Sequence, residues 1–261
     1  MYLMEGERET QRLEAKTNPE EVRRRLELVG IASGMRVLDA GAGSGAVSRL
    51  IVELVGPSGE VVALEGSADR AAYIRSRAAR EGLSSLRVVE GDLYAPPVEP
   101  VSFDVVWSEF VFEYLAEPER AARALARLLR PGGKLVIADI DGYAMFHYPL
   151  PEMVGKGLAA LASGLHPHFD PFVGRKLYNI IRKAGLRDVR VDMLPYHFYV
   201  GSAEPRELDH WRLKCETIRP LAAGALGGLE SYDRWVEAFL EMLRDPDRFS
   251  YAVLFVVQGI K

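Results

Sequence analysis

Residues 37–45 read VLDAGAGSG, and Ala46 follows at once. An apolar run ends at Asp39 and Ala40. Glycines at 41, 43 and 45 then lead into AVSRLIVELV (46–55), which has helical spacing. Glycine lacks a side chain and tolerates positive φ, so such a loop brings backbone close to a ligand. Read as GxGxxA, the loop cradles the pyrophosphate of a dinucleotide. Read as a strand ending in an acid, it holds a ligand with no phosphate. The rest of the chain decides between them.

Working outward, apolar runs suited to buried strands recur at MRVLDA (35–40), GEVVALE (59–65), LRVVEGD (86–92), FDVVWSE (103–109), KLVIADI (134–140), LRDVRVDML (186–194) and SYAVLFVVQG (250–259). Between the first six lie AVSRLIVELV, DRAAYIRSRAAREG, PERAARALARLLRPGG and GRKLYNIIRKAG, all with helical spacing. Alternating strands and helices predict an α/β fold with a doubly wound, mostly parallel sheet. The seventh run follows the sixth without a regular crossover helix and is expected to enter antiparallel. Two segments break the rhythm, 141–170 and 196–249. The second holds the helical patterns ELDHWRLKCETI and YDRWVEAFLEMLR. Long insertions at one edge of such a sheet are expected to form a cap or lid.

The bulk numbers bound the function. With 261 residues, 48% of them hydrophobic, the chain buries a sizeable core without disulfides. Its one cysteine, Cys215, has no intramolecular partner, which predicts a reduced, cytoplasmic setting. A net charge of −4 argues against a nucleic-acid partner bound through a basic field. The densest basic run, Arg23 to Arg25 in NPEEVRRRLELV, is flanked by acids and reads as the solvated face of a helix. MYLMEGERETQRLEAK is charged from residue 5 and has no apolar core of signal length. No stretch approaches the about 20 apolar residues of a membrane span, so no membrane partner is expected.

Three acids at strand ends speak to the ligand. Asp39 ends the first strand, Glu65 the second, and Asp92 in GDLY the third. In a doubly wound sheet these ends open onto one crevice. A carboxylate about 20 residues beyond the glycine loop suits a ribose diol. The glycine loop itself has no basic residue. That balance favours a nucleoside with a positive charge over one with a pyrophosphate.

Taken together, VLDAGAGSG, VVALEGS, VVEGDL and FDVVWSEF resemble the motifs of class I S-adenosylmethionine-dependent methyltransferases. LLRPGGKLVIADID resembles the segment around the fifth strand in the branch that includes quinone-biosynthesis methyltransferases. The resemblance covers residues 18–195 well and implies a seven-stranded sheet with an antiparallel last strand. It implies S-adenosylmethionine as cofactor and S-adenosylhomocysteine as product. Gly41 and Gly43 would lie under the methionine part, Asp39 near its ammonium, and Glu65, with Gly66 beside it, on the ribose hydroxyls. Asp92 would accept from the adenine amine with Leu93 along the ring, and the Ser108 carbonyl would face the ammonium. YLMEGERETQRL also resembles a segment that folds over the pocket in some members. There Tyr2 would face the sulfonium and Arg12 the methionine carboxylate, against the plainer reading of a loose amphipathic helix. The expected organisation is an N-terminal lid segment, 1–17, and a methyltransferase domain, 18–261, carrying the two cap insertions.

The acceptor side is less defined. Tyr114 stands where relatives often carry histidine, which weakens any transfer of a quinone substrate. WSEFVFEY lacks the Asn/Asp-Pro-Pro-aromatic stretch with which amino-methyltransferases grip a flipped base, so a small molecule is the expected acceptor. A base is needed only if the nucleophile must lose a proton. Glu109, four residues before Glu113, is one candidate. His147 in DGYAMFHYPLPE, just beyond the fifth strand, is the other. His166 and His168 in GLHPHFD read as a turn around Pro167, since no Cys, Asp or Glu cluster completes a metal site. His197 and His210 stay open. Tyr143, Phe146, Tyr148, Tyr196, Phe198, Tyr199 and Trp211 either pack the cap or line a pocket for an aromatic or planar metabolite. The competing functions are an NAD(P)-dependent oxidoreductase and a methyltransferase-fold protein without turnover. A monomer or homodimer is expected.

Overall fold

A computed structural model describes residues 7–261. Its sheet is built from β1 (Arg36–Ala40), β2 (Glu60–Glu65), β3 (Leu86–Glu90), β4 (Phe103–Glu109), β5 (Leu129–Tyr148), β6 (Arg187–Val200) and β7 (Phe249–Ile260). The order is β3-β2-β1-β4-β5-β7-β6. Strands β1 to β5 pair in parallel, and β7 runs antiparallel between β5 and β6. The doubly wound sheet and its reversed last strand are those the sequence predicts.

Both faces are covered at β1, β2 and β4, which is why these strands are continuously apolar rather than alternating. On one side Val37, Val61, Val105 and Trp107 pack against α2 (Pro19–Leu28), α3 (Ala46–Val55) and α4 (Ala68–Glu81). On the other, Leu38, Val62, Val106 and Ile137 pack against α5 (Pro118–Leu128) and α7 (Leu177–Lys183). Helix α1 (Glu7–Lys16) lies outside this sandwich, over the glycine loop. Glu14 pairs with Arg49 of α3 at 2.7 Å, and Leu13 approaches Gly43.

The insertions carry α6 (Glu152–Gly164), α8 (Pro205–Ala222) and α9 (Leu229–Leu243), which share a core of their own. Val154, Leu158, Trp211, Cys215, Trp235 and Phe239 are its centre. Their ends are not helical throughout, contrary to a plain cap. Strand β5 continues to Tyr148 and β6 to Val200, both paired along the full length of β7. A register shift between Asp141 and Phe146 interrupts the pairing, with Gly142 and Ala144 at positive φ. That bulge hides the period-two pattern of GYAMFHY, so the sequence shows an insertion where the strand goes on.

Candidate active site

The loop after β1 is left-handed at Gly41 (φ +86°), Gly43 (+59°) and Gly45 (+76°). A Cβ at Gly41 would stand 2.5 Å from Val111, so the backbone runs where no side chain fits. The loop is pinned across the sheet, its Gly43 N–H donating to Glu65 Oε2 at 2.8 Å. The other oxygen of Glu65 accepts from Ser67 N–H at 2.8 Å and from Arg70 at 3.0 and 3.1 Å. Around this loop opens a cavity of about 830 Å³, lined by Asp39, Gly41, Gly43, Glu65, Gly66, Asp92, Leu93, Glu109 and Tyr196 among others.

Two buried carboxylates face it. Burial pushes the Asp39 carboxyl up to about 7 against the pull of the Ser48 hydroxyl, which donates to it at 2.5 Å. Glu109 and Glu65 add to the rise as like charges. Glu109 has a side chain only 4% exposed and pairs through Oε1 with Arg25 at 2.5 Å. Its Oε2 is buried with no hydrogen-bond partner among the described residues.

A second cavity, of about 130 Å³, lies between the sheet and the cap. Its walls are mostly apolar, with Leu158, Leu161, Phe169, Trp211, Trp235 and Phe239, but Arg12, Lys16, Glu113 and Lys214 also line it. Lys16 and Tyr114 line both cavities, so the two meet there. Beneath, Asp139 accepts from the Glu113 backbone N–H at 3.1 Å. Burial raises Glu113, opposed first by Lys16, and raises Asp139 well above the usual carboxylate range with Glu113 adding to it.

Residues 38–137 match the family model described as a methyltransferase domain. The fold is that of the class I methyltransferases. Over 143 residues the chain is 32% identical to the ubiquinone/menaquinone biosynthesis C-methyltransferase UbiE of Pseudomonas paraeruginosa. That match covers 54% of each chain, so the chain spans about half the length of the curated relatives it matches. Among solved structures it is similar to the YcgJ protein of Bacillus subtilis, with TM-score 0.62 and 18% identity over 94% of this chain and 99% of that one. It is also similar to Haemonchus contortus phosphoethanolamine N-methyltransferase 2, crystallised with phosphomonomethylethanolamine and S-adenosylhomocysteine. There the TM-score is 0.60 and the identity 20%, over 92% of this chain and 52% of that one. At those identities the structural likeness speaks for the fold. The dinucleotide alternative is not favoured by these relatives.

Of the residues named from sequence, Asp39, Gly41, Gly43, Glu65, Gly66, Asp92, Leu93 and Glu109 come together on one cavity. Ser108 does not line it; it is fully buried, and its hydroxyl donates to the Ala40 carbonyl at 2.9 Å, tying β4 to β1. Arg12 faces the cap cavity instead and holds Glu9 through two hydrogen bonds of 2.7 Å. Tyr2 lies outside the described residues.

His147 stands apart from these residues. It lines neither larger cavity, because β5 carries it along β7 to pair with Ser250 beside the cap core. There Nδ1 meets Ser250 Oγ at 2.7 Å and Nε2 the Ala144 carbonyl at 3.0 Å. Burial holds it down to about 4, so it stays neutral and internally engaged. His166 and His168 lie in a turn, and His168 reaches the rim of the larger cavity. Among the described residues no group of three or more His, Cys, Asp or Glu could hold a metal ion.

Sequence reading missed Arg25, Lys16 and Lys214. Arg25 is buried beside Glu109, not on a solvated face. The signal was its place in the stripe Val22, Arg25, Leu26, Val29, at spacings of three and four. Lys214 sits likewise between Trp211, Cys215 and Ile218. In each stripe the neighbouring charges or polar residues masked a cation on the apolar face.

Proposed function

We propose that this methyltransferase domain binds S-adenosylmethionine in the larger cavity and methylates a small aromatic or planar acceptor held in the cap cavity. The observation that carries this is the pair Asp39 and Glu109. A carboxyl raised by burial and a buried carboxylate oxygen without a partner both gain from a cationic ligand. A diphosphate in the same place would meet their charge. The volume and the glycine cradle suit a nucleoside-sized ligand.

In this reading Asp39 and Glu109 hold the ammonium end. Glu65 keeps one lone pair of Oε2 for the ribose while Arg70 and the Gly43 and Ser67 N–H groups fix its position. Asp92 and Leu93 flank the base. Bound there, the cofactor supplies an activated methyl group on sulfonium. The domain then needs mainly to orient the acceptor and exclude water. Helix α1 and the cap helices act as the lid, closing over the meeting point of the two cavities. Glu113 and Tyr114, rather than His147, stand where a proton would be handled. The unpaired Cys215 fits a reducing compartment such as the cytoplasm.

Calorimetric titration tests the reading. S-adenosylhomocysteine should bind in the micromolar range, about −8 kcal/mol, and NADPH should not. Methyl transfer from isotope-labelled cofactor into a metabolite pool then separates an enzyme from a binding protein. Tight NADPH binding without S-adenosylhomocysteine binding would overturn the reading.

A further inference from the structure

The cap cavity has a chemical asymmetry that an apolar acceptor alone does not explain. Lys16 on α1 and Lys214 on α8 both line it, and neither has an ion pair or hydrogen bond among the described residues. They rest on aromatic faces instead. Lys16 Nζ lies 4.0 Å from the centre of Phe110, and Lys214 Nζ lies 4.4 Å from that of Tyr143 and 4.9 Å from that of Trp211. Arg12 is a third cation on the same wall, held by Glu9. Among the described residues Glu113 is the one carboxylate lining the cavity, and burial favours its neutral form.

Burial lowers both lysines, Lys214 well below the ordinary value, with Lys16 and Arg12 adding to the effect and Glu113 and Cys215 opposing it. Ammonium groups crowded together in an apolar box cost free energy that a bound anion would recover. A cationic or amine acceptor would worsen the crowding.

Resting on the reading of the larger cavity as the cofactor site, we propose that the cap cavity binds an anionic acceptor. Its ligand is a compact aromatic body bearing one ionised oxygen, a carboxylate or phenolate, held by Lys16 and Lys214. A volume of about 130 Å³ is close to that of engineered cavities of about 150 Å³ that take up a single benzene ring. Leu158, Leu161 and Phe239 supply the apolar contact. Because Lys16 lines both cavities, the ionised oxygen lies at the end facing the cofactor. An acceptor that arrives ionised has no proton to lose, which removes the need for a general base at this site.

The test uses the full chain without cofactor and three probes of similar size: 4-nitrophenolate, benzoate and nitrobenzene. The two anions should bind about tenfold or more tighter than nitrobenzene, the usual effect of charge-assisted hydrogen bonds. Which anion binds better distinguishes phenolate from carboxylate. Lys214→Met should weaken both anions by about tenfold and leave nitrobenzene within about twofold, while Lys214→Arg restores anion binding. Leu161→Trp, which fills the cavity, should remove 4-nitrophenolate binding and its absorbance shift. Equal affinities for anion and nitrobenzene, equal losses of all three probes in Lys214→Met, or 4-nitrophenolate retained by Leu161→Trp would overturn the proposal. Titration of S-adenosylhomocysteine on the same samples reports separately on the cofactor reading, since Lys214 lines only the cap cavity.

Discussion

At Asp39 the cost of burial and the gain from a cation can be measured against each other. Its carboxyl is raised from 3.8 to about 7, so the folded protein holds a proton there that the unfolded chain gives up. That contribution to stability is full below pH 3.8 and is lost as pH rises through about 7. A ligand ammonium favours the ionised form. Binding of S-adenosylhomocysteine near pH 6 should therefore release a proton, and affinity should rise toward pH 7 and then level off. Calorimetry in two buffers of different ionisation heat reads the released proton, and Asp39→Asn should abolish both effects. No proton release in the wild type would place the ammonium elsewhere.

Glu65 gives a second prediction at this scale. Replacement by alanine removes the anion facing the buried Arg70 guanidinium, so folding and binding would change together. Glu65→Gln keeps the shape and should weaken S-adenosylhomocysteine by about 1.5–3 kcal/mol, the worth of a charged acceptor. An unchanged affinity would remove Glu65 from the site. The strand-end acids were legible in sequence because a parallel sheet puts every strand end on one side. The cations were not, because Arg25 and Lys214 depend on which way a helix face turns after packing.

Among elements, the cap rests on the crossing of α6 and α9. Gly157 of α6 leaves room for Trp235 of α9, whose indole N–H donates to the Val154 carbonyl at 3.2 Å. Any Cβ at Gly157 would clash with the indole ring. Gly157→Ala should therefore destabilise the cap by about 1–3 kcal/mol, the usual cost of overpacking. Protease should cut α6 sooner, and binding of 4-nitrophenolate should fall, while affinity for S-adenosylhomocysteine holds. A variant as protease-resistant as the wild type would show that the helices can part without loss. Strands β1 to β4 and β7 and helices α3 and α9 were legible within a few residues, because their periodicity is uninterrupted. The extension of β5 past Asp141 was not, since a bulge breaks the alternation and only the length of β7 reveals the pairing. With it went His147, whose nearness in sequence to the strand end suggested a position that the continuing strand denies.

At the scale of the whole molecule, the sheet and the cap differ in their response to acid. His147 and His197 both sit where the extended ends of β5 and β6 meet the cap core, and both line the small cavity there with Trp211 and Arg248. Burial holds His147 down to about 4 and His197 to about 3, from an ordinary 6.5. Each therefore contributes stability that is present above pH 6.5 and lost as pH falls through its folded value. Glu113 and Asp139 work the other way, since both are raised and acid relieves them, but they lie on the sheet side of the junction. Acid should loosen the cap before the sheet. Trp211 and Trp235 report the cap and Trp107 the sheet core, so Trp235→Phe and Trp107→Phe variants separate the two fluorescence signals. Below about pH 6 the cap signal should change while the Trp107 environment and the parallel-sheet circular dichroism persist. A double variant, His147→Asn with His197→Phe, keeps polar contact to Ser250 and aromatic contact to Tyr196 without a titrating ring. Its cap transition should move to lower pH by about one unit, whatever the carboxyls contribute, since they are common to both proteins. A single transition at the same pH in both would mean that the cap is held by contacts other than these buried rings.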